Sequence, residues 1–329
     1  MTNVERVIAA LNHKKVDRVP VTSFMTCVTT DMMEKCGYGW DRAHYDKDSL
    51  VTLAAAAYNY CGIETMKLPY DMCVEAEALG GKIDIGTAET LPQLKTHLYD
   101  EPEELAFDRE LLSKGRIPLV LKAISAAKAQ YGGEVVIVSS IVGPFTLATR
   151  LFGMENFLIW LSLEPEKAHT AVEKLTDLCI MYATEQGMAG TDVVQIGEAA
   201  SSGDLISSET YRDFIAPCHK RLCNALTVPT VTHICGNITG HLPYIAETGM
   251  TGISFDVKTD INHARECLKG KTALVGYVDT MEVLLNGTRD MVRAKSLECI
   301  EAGVDLLNPG CAVPAGVTIE NLKAMVEAA

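Results

Sequence analysis

Residues 299–311, Cys-Ile-Glu-Ala-Gly-Val-Asp-Leu-Leu-Asn-Pro-Gly-Cys, contain the pattern that decides the fold. A predicted helix over 289–301 ends just before Gly303, and the apolar run 304–308 then forms a short strand. Glycine suits this position because a helix C-cap often turns the chain through a left-handed conformation. The same order of helix, glycine and short apolar strand recurs at Gly62, Gly190 and Gly249.

Helices and strands alternate along the rest of the chain. Hydrophobic spacing and helix-capping residues predict helices over 4–11, 48–61, 117–131, 154–162, 166–187, 208–226, 239–247, 261–268, 289–301 and 318–328. Short apolar runs predict strands over 17–25, 65–68, 134–139, 192–196, 229–233, 252–256, 273–277 and 304–308. Strands that alternate with helices pair in parallel, and eight of them fit a (β/α)8 TIM barrel preceded by a helical extension. An open doubly wound sheet is the alternative, although no Gly-x-Gly-x-x-Gly follows the first strand.

One segment departs from this alternation of helices and strands. Residues 72–115 follow the second strand and contain a predicted short hairpin or edge strand over 80–86 and an acidic, polar stretch over 98–108. The segment is too short and too poor in core residues to fold alone. We therefore predict a single barrel domain over 1–329 with an excursion over the barrel mouth. A solvated surface loop with no role in a site is the other interpretation of this segment.

The candidate metal site begins with residues 229–237, Pro-Thr-Val-Thr-His-Ile-Cys-Gly-Asn. Side chains alternate faces along a strand, so His233 and Cys235 point the same way, about 7 Å apart along the chain. Cys311 also lies just past an apolar run. We predict a zinc ion held by these three residues, with a fourth position open for substrate, as in catalytic zinc sites. Chance pairing among 11 cysteines is the alternative, since free cysteines are often simply buried.

Other polar residues at predicted strand ends are expected to line the same mouth, because active sites of such barrels lie at the C-terminal ends of the strands. Asp256 is a candidate fourth zinc ligand in the absence of substrate, or a residue that orients a ligand. The pocket candidates are Lys67, Tyr70, Glu77, Glu198, Asn237, Tyr277 and Asn308. For each of these, a hydrogen-bonded barrel-end residue without chemistry is the competing interpretation.

Composition limits the function classes. The net charge of −14 argues against a nucleic-acid footprint or a polybasic membrane patch. No apolar run approaches the roughly 20 residues needed to cross a bilayer. The first residues lack the basic start and apolar stretch of a signal peptide, and 11 cysteines then suit reduced thiols in a cytoplasm.

The predicted ligand set favours one kind of chemistry. Two thiolates and a neutral imidazole leave Zn²⁺ formally neutral, which suits a soft fourth ligand better than water activation. A thiol that coordinates zinc is deprotonated and stays nucleophilic at neutral pH. Thiol alkylation is therefore the first interpretation and hydrolysis by water the second.

The chain resembles the uroporphyrinogen decarboxylase superfamily and, within it, the methylcobamide:coenzyme M methyltransferases of methylotrophic methanogens. The matching segments span nearly the whole chain, and the His-x-Cys with a distant Pro-Gly-Cys is the most specific of them. They are Val16-Asp17-Arg18-Val19-Pro20-Val21, Lys67-Leu68-Pro69-Tyr70, Glu77-Ala78-Leu79-Gly80, Gly143-Pro144-Phe145-Thr146-Leu147-Ala148, Asp204-Leu205-Ile206-Ser207, His233-Ile234-Cys235-Gly236 and Asn308-Pro309-Gly310-Cys311.

The resemblance implies a barrel of the uroporphyrinogen decarboxylase type with catalytic zinc on His233, Cys235 and Cys311. It also implies that the zinc binds the thiol of coenzyme M, which takes a methyl group from a methylcobamide carried by a partner corrinoid protein. Lys67, or else Arg150, is the predicted cation for the sulfonate. A decarboxylase is disfavoured, because the stretch 25–30, Met-Thr-Cys-Val-Thr-Thr, lacks the arginines that would hold a polycarboxylate. Homocysteine or a tetrahydropterin as acceptor, and a non-catalytic corrinoid-binding or metal-binding protein, are the remaining alternatives.

Overall fold

A computed structural model describes residues 1–87 and 90–329, and its strands form a curled parallel sheet. The strands are β1 (Thr65–Leu68), β2 (Ile83–Asp84), β3 (Gln93–Leu94), β4 (Val136–Val142), β5 (Val193–Gly197), β6 (Thr230–His233), β7 (Gly252–Ser254), β8 (Ala273–Val278) and β9 (Leu306–Pro309). Seven of them pair in parallel in the order β1-β4-β5-β6-β7-β8-β9, and β2 pairs with β3 in an antiparallel hairpin.

The helices largely follow the predicted spacing. They are α1 (Asn3–Leu11), α2 (Thr30–Cys36), α3 (Trp40–Ala43), α4 (Lys47–Cys61), α5 (Val74–Ala78), α6 (Ile117–Tyr131), α7 (Pro144–Leu151), α8 (Met154–Leu163), α9 (Pro165–Met188), α10 (Ser208–Thr210), α11 (Ala216–Ala225), α12 (Leu242–Ile245), α13 (Ile261–Leu268), α14 (Arg289–Glu301) and α15 (Ile319–Val326). The predicted helix over 208–226 is divided by a π-helical turn at Tyr211–Ile215, and the one over 239–247 is shortened by a 3₁₀ turn at Thr239–His241.

The barrel is closed by the segment predicted as its first strand. Residues 17–25 form no regular strand, but Val21 makes a parallel bridge to Leu307 of β9. The carbonyl of Val21 also accepts a hydrogen bond of 2.8 Å from the amide of Glu64, just before β1. This segment therefore joins the two edges of the seven-stranded sheet, and the predicted TIM-barrel class is confirmed with an irregular eighth position.

The N-terminal helical extension covers the bottom of the barrel. In α1, the Thr2 and Glu5 side chains form a capping box. Val7 and Leu11 pack with Val138 of β4 and with the other valines and leucines that fill the barrel interior. The opposite end, where the strands finish, is thus the end left for a site.

The segment predicted as an excursion, 72–115, departs from the alternation of helix and barrel strand; residues 88 and 89 lie outside the described residues. It comprises α5, the β2–β3 hairpin and two 3₁₀ turns, Pro102–Glu104 and Arg109–Ser113. Its place over the mouth and the one-domain organisation stay predictions. Within the described ranges, no helix combines the length and apolar character needed to span a bilayer.

Candidate metal centre

His233, Cys235 and Cys311 come together at the C-terminal ends of β6 and β9. One ligand atom from each lies within 4.8 Å of the others. His233 Nε2 is 3.1 Å from Cys235 Sγ, and the two sulfurs are 3.6 Å apart. A tetrahedral zinc with bonds of about 2.3 Å to sulfur and 2.0 Å to nitrogen separates its ligand atoms by about 3.5–3.8 Å. The three side chains therefore fit a zinc ion with small adjustments.

The imidazole of His233 is oriented by a residue that the sequence analysis missed. Ser254 of β7 is the register partner of His233, and its Oγ is 3.0 Å from His233 Nδ1. Both side chains are buried. With a metal on Nε2, the Nδ1–H donates to the serine oxygen, which fixes the tautomer and the ring orientation. The only signal in the sequence was a polar residue between Ile253 and Phe255, and it needed the strand register to be interpreted.

Gly236 follows Cys235 and makes the turn that carries the cysteine. Its φ of 75° lies in the left-handed region. A Cβ on this glycine would lie 2.3 Å from Ser202 Oγ and 2.5 Å from Asp204 Oδ2. Both the backbone conformation and the close approach therefore require glycine at this position.

Asp256 holds the same turn from the other side. Its carboxylate accepts hydrogen bonds from the Gly236 amide at 2.7 Å and from the Lys258 amide at 2.9 Å. The structure thus gives Asp256 a role in fixing the loop beside the three ligands. Its predicted role as a fourth ligand stays a prediction.

The two thiols differ in acidity because they lie against each other. The pKa of Cys311 is lowered, first by the hydrogen bond that its sulfur accepts from the Cys235 thiol and further by His233. The pKa of Cys235 is raised, first by that same hydrogen bond and then by burial. One thiolate is therefore already favoured in the metal-free protein, and a dication between the sulfurs would favour the second.

Three of the predicted pocket residues lie near the C-terminal ends of barrel strands. Lys67 is buried, and its Nζ donates to the Pro69 carbonyl at 2.8 Å. Asn308 is buried, and its Oδ1 accepts a hydrogen bond of 3.1 Å from the Phe24 amide. Tyr277 is half-buried and stacks on Phe255 with 5.5 Å between the ring centroids.

The other pocket candidates have structural partners. The Tyr70 hydroxyl donates to the Leu50 carbonyl of α4 at 2.8 Å. Glu77 forms an ion pair with Arg116, and Asn237 is exposed and accepts a hydrogen bond from the Thr239 amide. Their predicted contact with substrate stays untested.

Glu198, just after β5, caps the helix that follows the neighbouring strand β4. Its buried carboxylate accepts hydrogen bonds from the amides of Phe145 and Thr146, at 3.1 and 2.9 Å, and from the Thr146 hydroxyl at 2.7 Å. A negative charge at a helix N-terminus is stabilised by the free amides and the helix dipole. The structure therefore explains this carboxylate by the start of α7.

Arg150, the second candidate for the sulfonate, lies farther out. It donates to the Met72 carbonyl at 3.3 Å. It also lines an open groove of about 830 Å³ between α7 and the excursion. Lys67, in contrast, is enclosed by the strands.

A family model described as uroporphyrinogen decarboxylase (URO-D) matches residues 2–329. The chain belongs to this family. Among curated proteins, it is 35% identical to a methylated-thiol–coenzyme M methyltransferase of Methanosarcina mazei, over all of this chain and 89% of that protein. It is 33% identical to a methylcobamide:CoM methyltransferase of Methanosarcina barkeri, over 98% of this chain and 96% of that protein. A solved structure of a methyltransferase from Methanosarcina mazei superposes with a TM-score of 0.96 at 33% identity, over 100% of this chain and 98% of that one. These matches confirm the resemblance and the barrel.

Proposed function

We propose that the protein is a methyltransferase that moves a methyl group from a methylated corrinoid to the thiol of coenzyme M. One observation carries the proposal. His233, Cys235 and Cys311 converge within 4.8 Å at the C-terminal end of the barrel, in a chain similar over its whole length to proteins named for this reaction.

We infer that a zinc ion is held by His233, Cys235 and Cys311. Bound there, the ion supplies the Lewis acidity that keeps an acceptor thiol deprotonated at neutral pH. Ser254 orients the imidazole, while Gly236 and Asp256 hold the turn that presents Cys235. These contacts fix the ligands before the acceptor binds, which lowers the cost of assembling the site.

The transfer itself is a displacement at carbon. The acceptor sulfur donates an electron pair to the methyl carbon, the cobalt–carbon bond breaks, and both of its electrons stay on cobalt. The products are methyl-coenzyme M and a cob(I)amide, and the thiol proton passes to solvent when the thiol binds. Catalysis then consists mainly of thiolate activation and of holding sulfur, methyl group and cobalt in line.

The methyl donor is expected to arrive on a partner corrinoid protein that docks at the barrel mouth, next to the excursion over 72–115. A role in methylotrophic methanogenesis, implied by the family resemblance, stays a prediction. Homocysteine and a tetrahydropterin are competing acceptors, and the assay below includes them.

The test is an anaerobic assay of zinc-loaded protein with methylcob(III)alamin, followed by the absorbance of cob(I)alamin. Coenzyme M, homocysteine and a tetrahydropterin are compared, with His233→Ala as the inactive variant and the methylated partner protein as a second donor. We expect demethylation with coenzyme M and its loss in the variant. Activity confined to homocysteine or the pterin would refute coenzyme M as the acceptor. No activity with either donor would refute the proposed methyltransferase activity.

A further inference from the structure

A row of polar side chains crosses the inside of the barrel, two residues before the level of His233 along the strands. Lys67 on β1 is the register partner of Val138 on β4, which faces the interior. Two residues later, Ser140 faces the same way and is the register partner of Gln195 on β5. The Lys67 ammonium and the Ser140 hydroxyl both donate to the Pro69 carbonyl, at 2.8 and 3.5 Å. The ammonium therefore lies at the height of the Ser140–Gln195 pair.

Gln195 is buried without a hydrogen bond from its amide nitrogen. The residue is 2% exposed, and among residues 1–87 and 90–329 its Nε2 has no partner. An unmade hydrogen bond from a buried amide costs about 1–3 kcal/mol. Such a group on the inward face of a barrel strand indicates a site for an acceptor atom from outside the chain.

The Lys67 ammonium also lacks a counter-charge in contact. It is 9% exposed and bonds the neutral carbonyl of Pro69, and no carboxylate of the described chain lies within ion-pair distance of it. Burial accordingly lowers the pKa of Lys67 to about 8. An anion that entered the barrel would gain a charge-assisted hydrogen bond at this point.

The row lies next to the predicted metal ligands. Gly197, two residues after Gln195, is the register partner of His233. A Cβ on Gly197 would lie 3.7 Å from Gln195 Nε2 and 3.1 Å from Met72 Cε. The amide therefore belongs to the strand next to the one that carries His233, and neighbouring strands lie about 4.8 Å apart. The Met72 thioether, which adapts easily in shape, covers it from the excursion.

We propose that Lys67 and Gln195 form the anion-binding end of the acceptor pocket, which takes a thiol joined by a short linker to a negatively charged group. The inference rests on the proposed function and adds the residues that choose among acceptors. The Gln195 amide reaches toward Gly197, the register partner of His233, so a short linker between the thiol and a sulfonate suits the gap. An amino-acid thiol fits less well, because its own ammonium would approach that of Lys67.

The test compares thiols that differ only in the group at the far end of a two-carbon linker. Calorimetric titration of the zinc-loaded protein, without methyl donor, measures the Kd of 2-mercaptoethanesulfonate, 2-mercaptoethanol and cysteamine. The variants are Lys67→Met and Gln195→Leu. The matched control is Gln186→Leu. Gln186 is a buried glutamine of α9, and its Nε2 donates to the Ser140 carbonyl of β4. Thermal unfolding establishes that each variant is folded.

We expect Lys67→Met to weaken sulfonate binding about 10- to 100-fold, and Gln195→Leu at least about fivefold, from the loss of charge-assisted hydrogen bonds. Binding of 2-mercaptoethanol should be unchanged in both, and the control should keep the parent's preference. Equal losses for all three thiols, or an unchanged preference for the sulfonate, would overturn the assignment. Because no methyl donor is present, this outcome is separate from the failure of methyl transfer in the assay of the parent protein.

Discussion

Removal of one hydroxyl should weaken the metal site without removing a ligand. Ser254→Ala deletes the oxygen that lies 3.0 Å from His233 Nδ1. The imidazole then loses the contact that fixes its tautomer and orientation. Loss of such a partner typically weakens metal binding by 10- to 100-fold, or about 1.4–2.7 kcal/mol. Because both side chains are buried, water does not readily replace the lost oxygen, and we expect the upper part of this range.

The assay is competition for zinc against a chromophoric chelator, at pH 7 under reducing conditions. The matched control is Ser139→Ala, another buried strand serine, whose hydroxyl has no hydrogen-bond partner among the described residues. It should bind zinc as the parent does. Parent-like affinity in Ser254→Ala, or an equal loss in both variants, would refute the assigned role of Ser254.

Three further predictions concern stability and the turn at the site. Burial lowers the pKa of Lys67 from 10.5 to about 8, so the folded protein binds fewer protons than the unfolded chain between these values. The free energy of unfolding should therefore rise across that range by up to about 3 kcal/mol relative to Lys67→Met. Urea unfolding of both proteins at pH 7 and pH 10 measures this, and an equal difference between them at the two pH values would contradict it. Arg116→Met removes the bidentate partner of buried Asp71 and should cost about 3–5 kcal/mol, whereas an unchanged urea midpoint would argue against this ion pair. Gly236→Ala should weaken zinc binding at least about tenfold because its Cβ collides with the loop after β5, while Gly249→Ala has the same positive φ but open space and should bind zinc normally.

The barrel and the cluster of possible ligands could be predicted because they depend on local signals. Alternation along β6 places His233 and Cys235 on one face, and the helix–glycine–strand order around Gly303 indicates parallel strands. The bounds of α6 and α13 also agree with the predicted helices. These features need only periodicity and the common geometry of barrel strands.

The first strand and the turn of Tyr211–Ile215 were harder to predict because tertiary contacts decide them. Residues 17–25 have the apolar character of a strand, yet the segment bonds two neighbours only near Val21 and then leaves the sheet. His241 is buried and stacks on Tyr211 with 4.8 Å between the ring centroids. Polarity alone did not indicate that packing.

Strand register decides which polar residues have structural partners. Glu198 and Asn308 have the polar character of site residues, yet the side-chain oxygens of both accept hydrogen bonds from backbone amides of neighbouring segments. Ser254 and Gln195 were missed because each interrupts an apolar strand by one residue. Their positions follow only from strand pairing, which puts Ser254 opposite His233 and Gln195 opposite Val231, two residues before His233 on the same face.

The measurement that tests the central claim most directly is zinc K-edge absorption spectroscopy of the protein with and without coenzyme M. We expect one zinc per chain with two sulfur ligands, from Cys235 and Cys311, and one imidazole. Addition of coenzyme M should raise the count to three sulfurs. A sulfur count that does not change with the thiol, or a zinc ion that survives the double substitution of Cys235 and Cys311 by serine, would contradict the account.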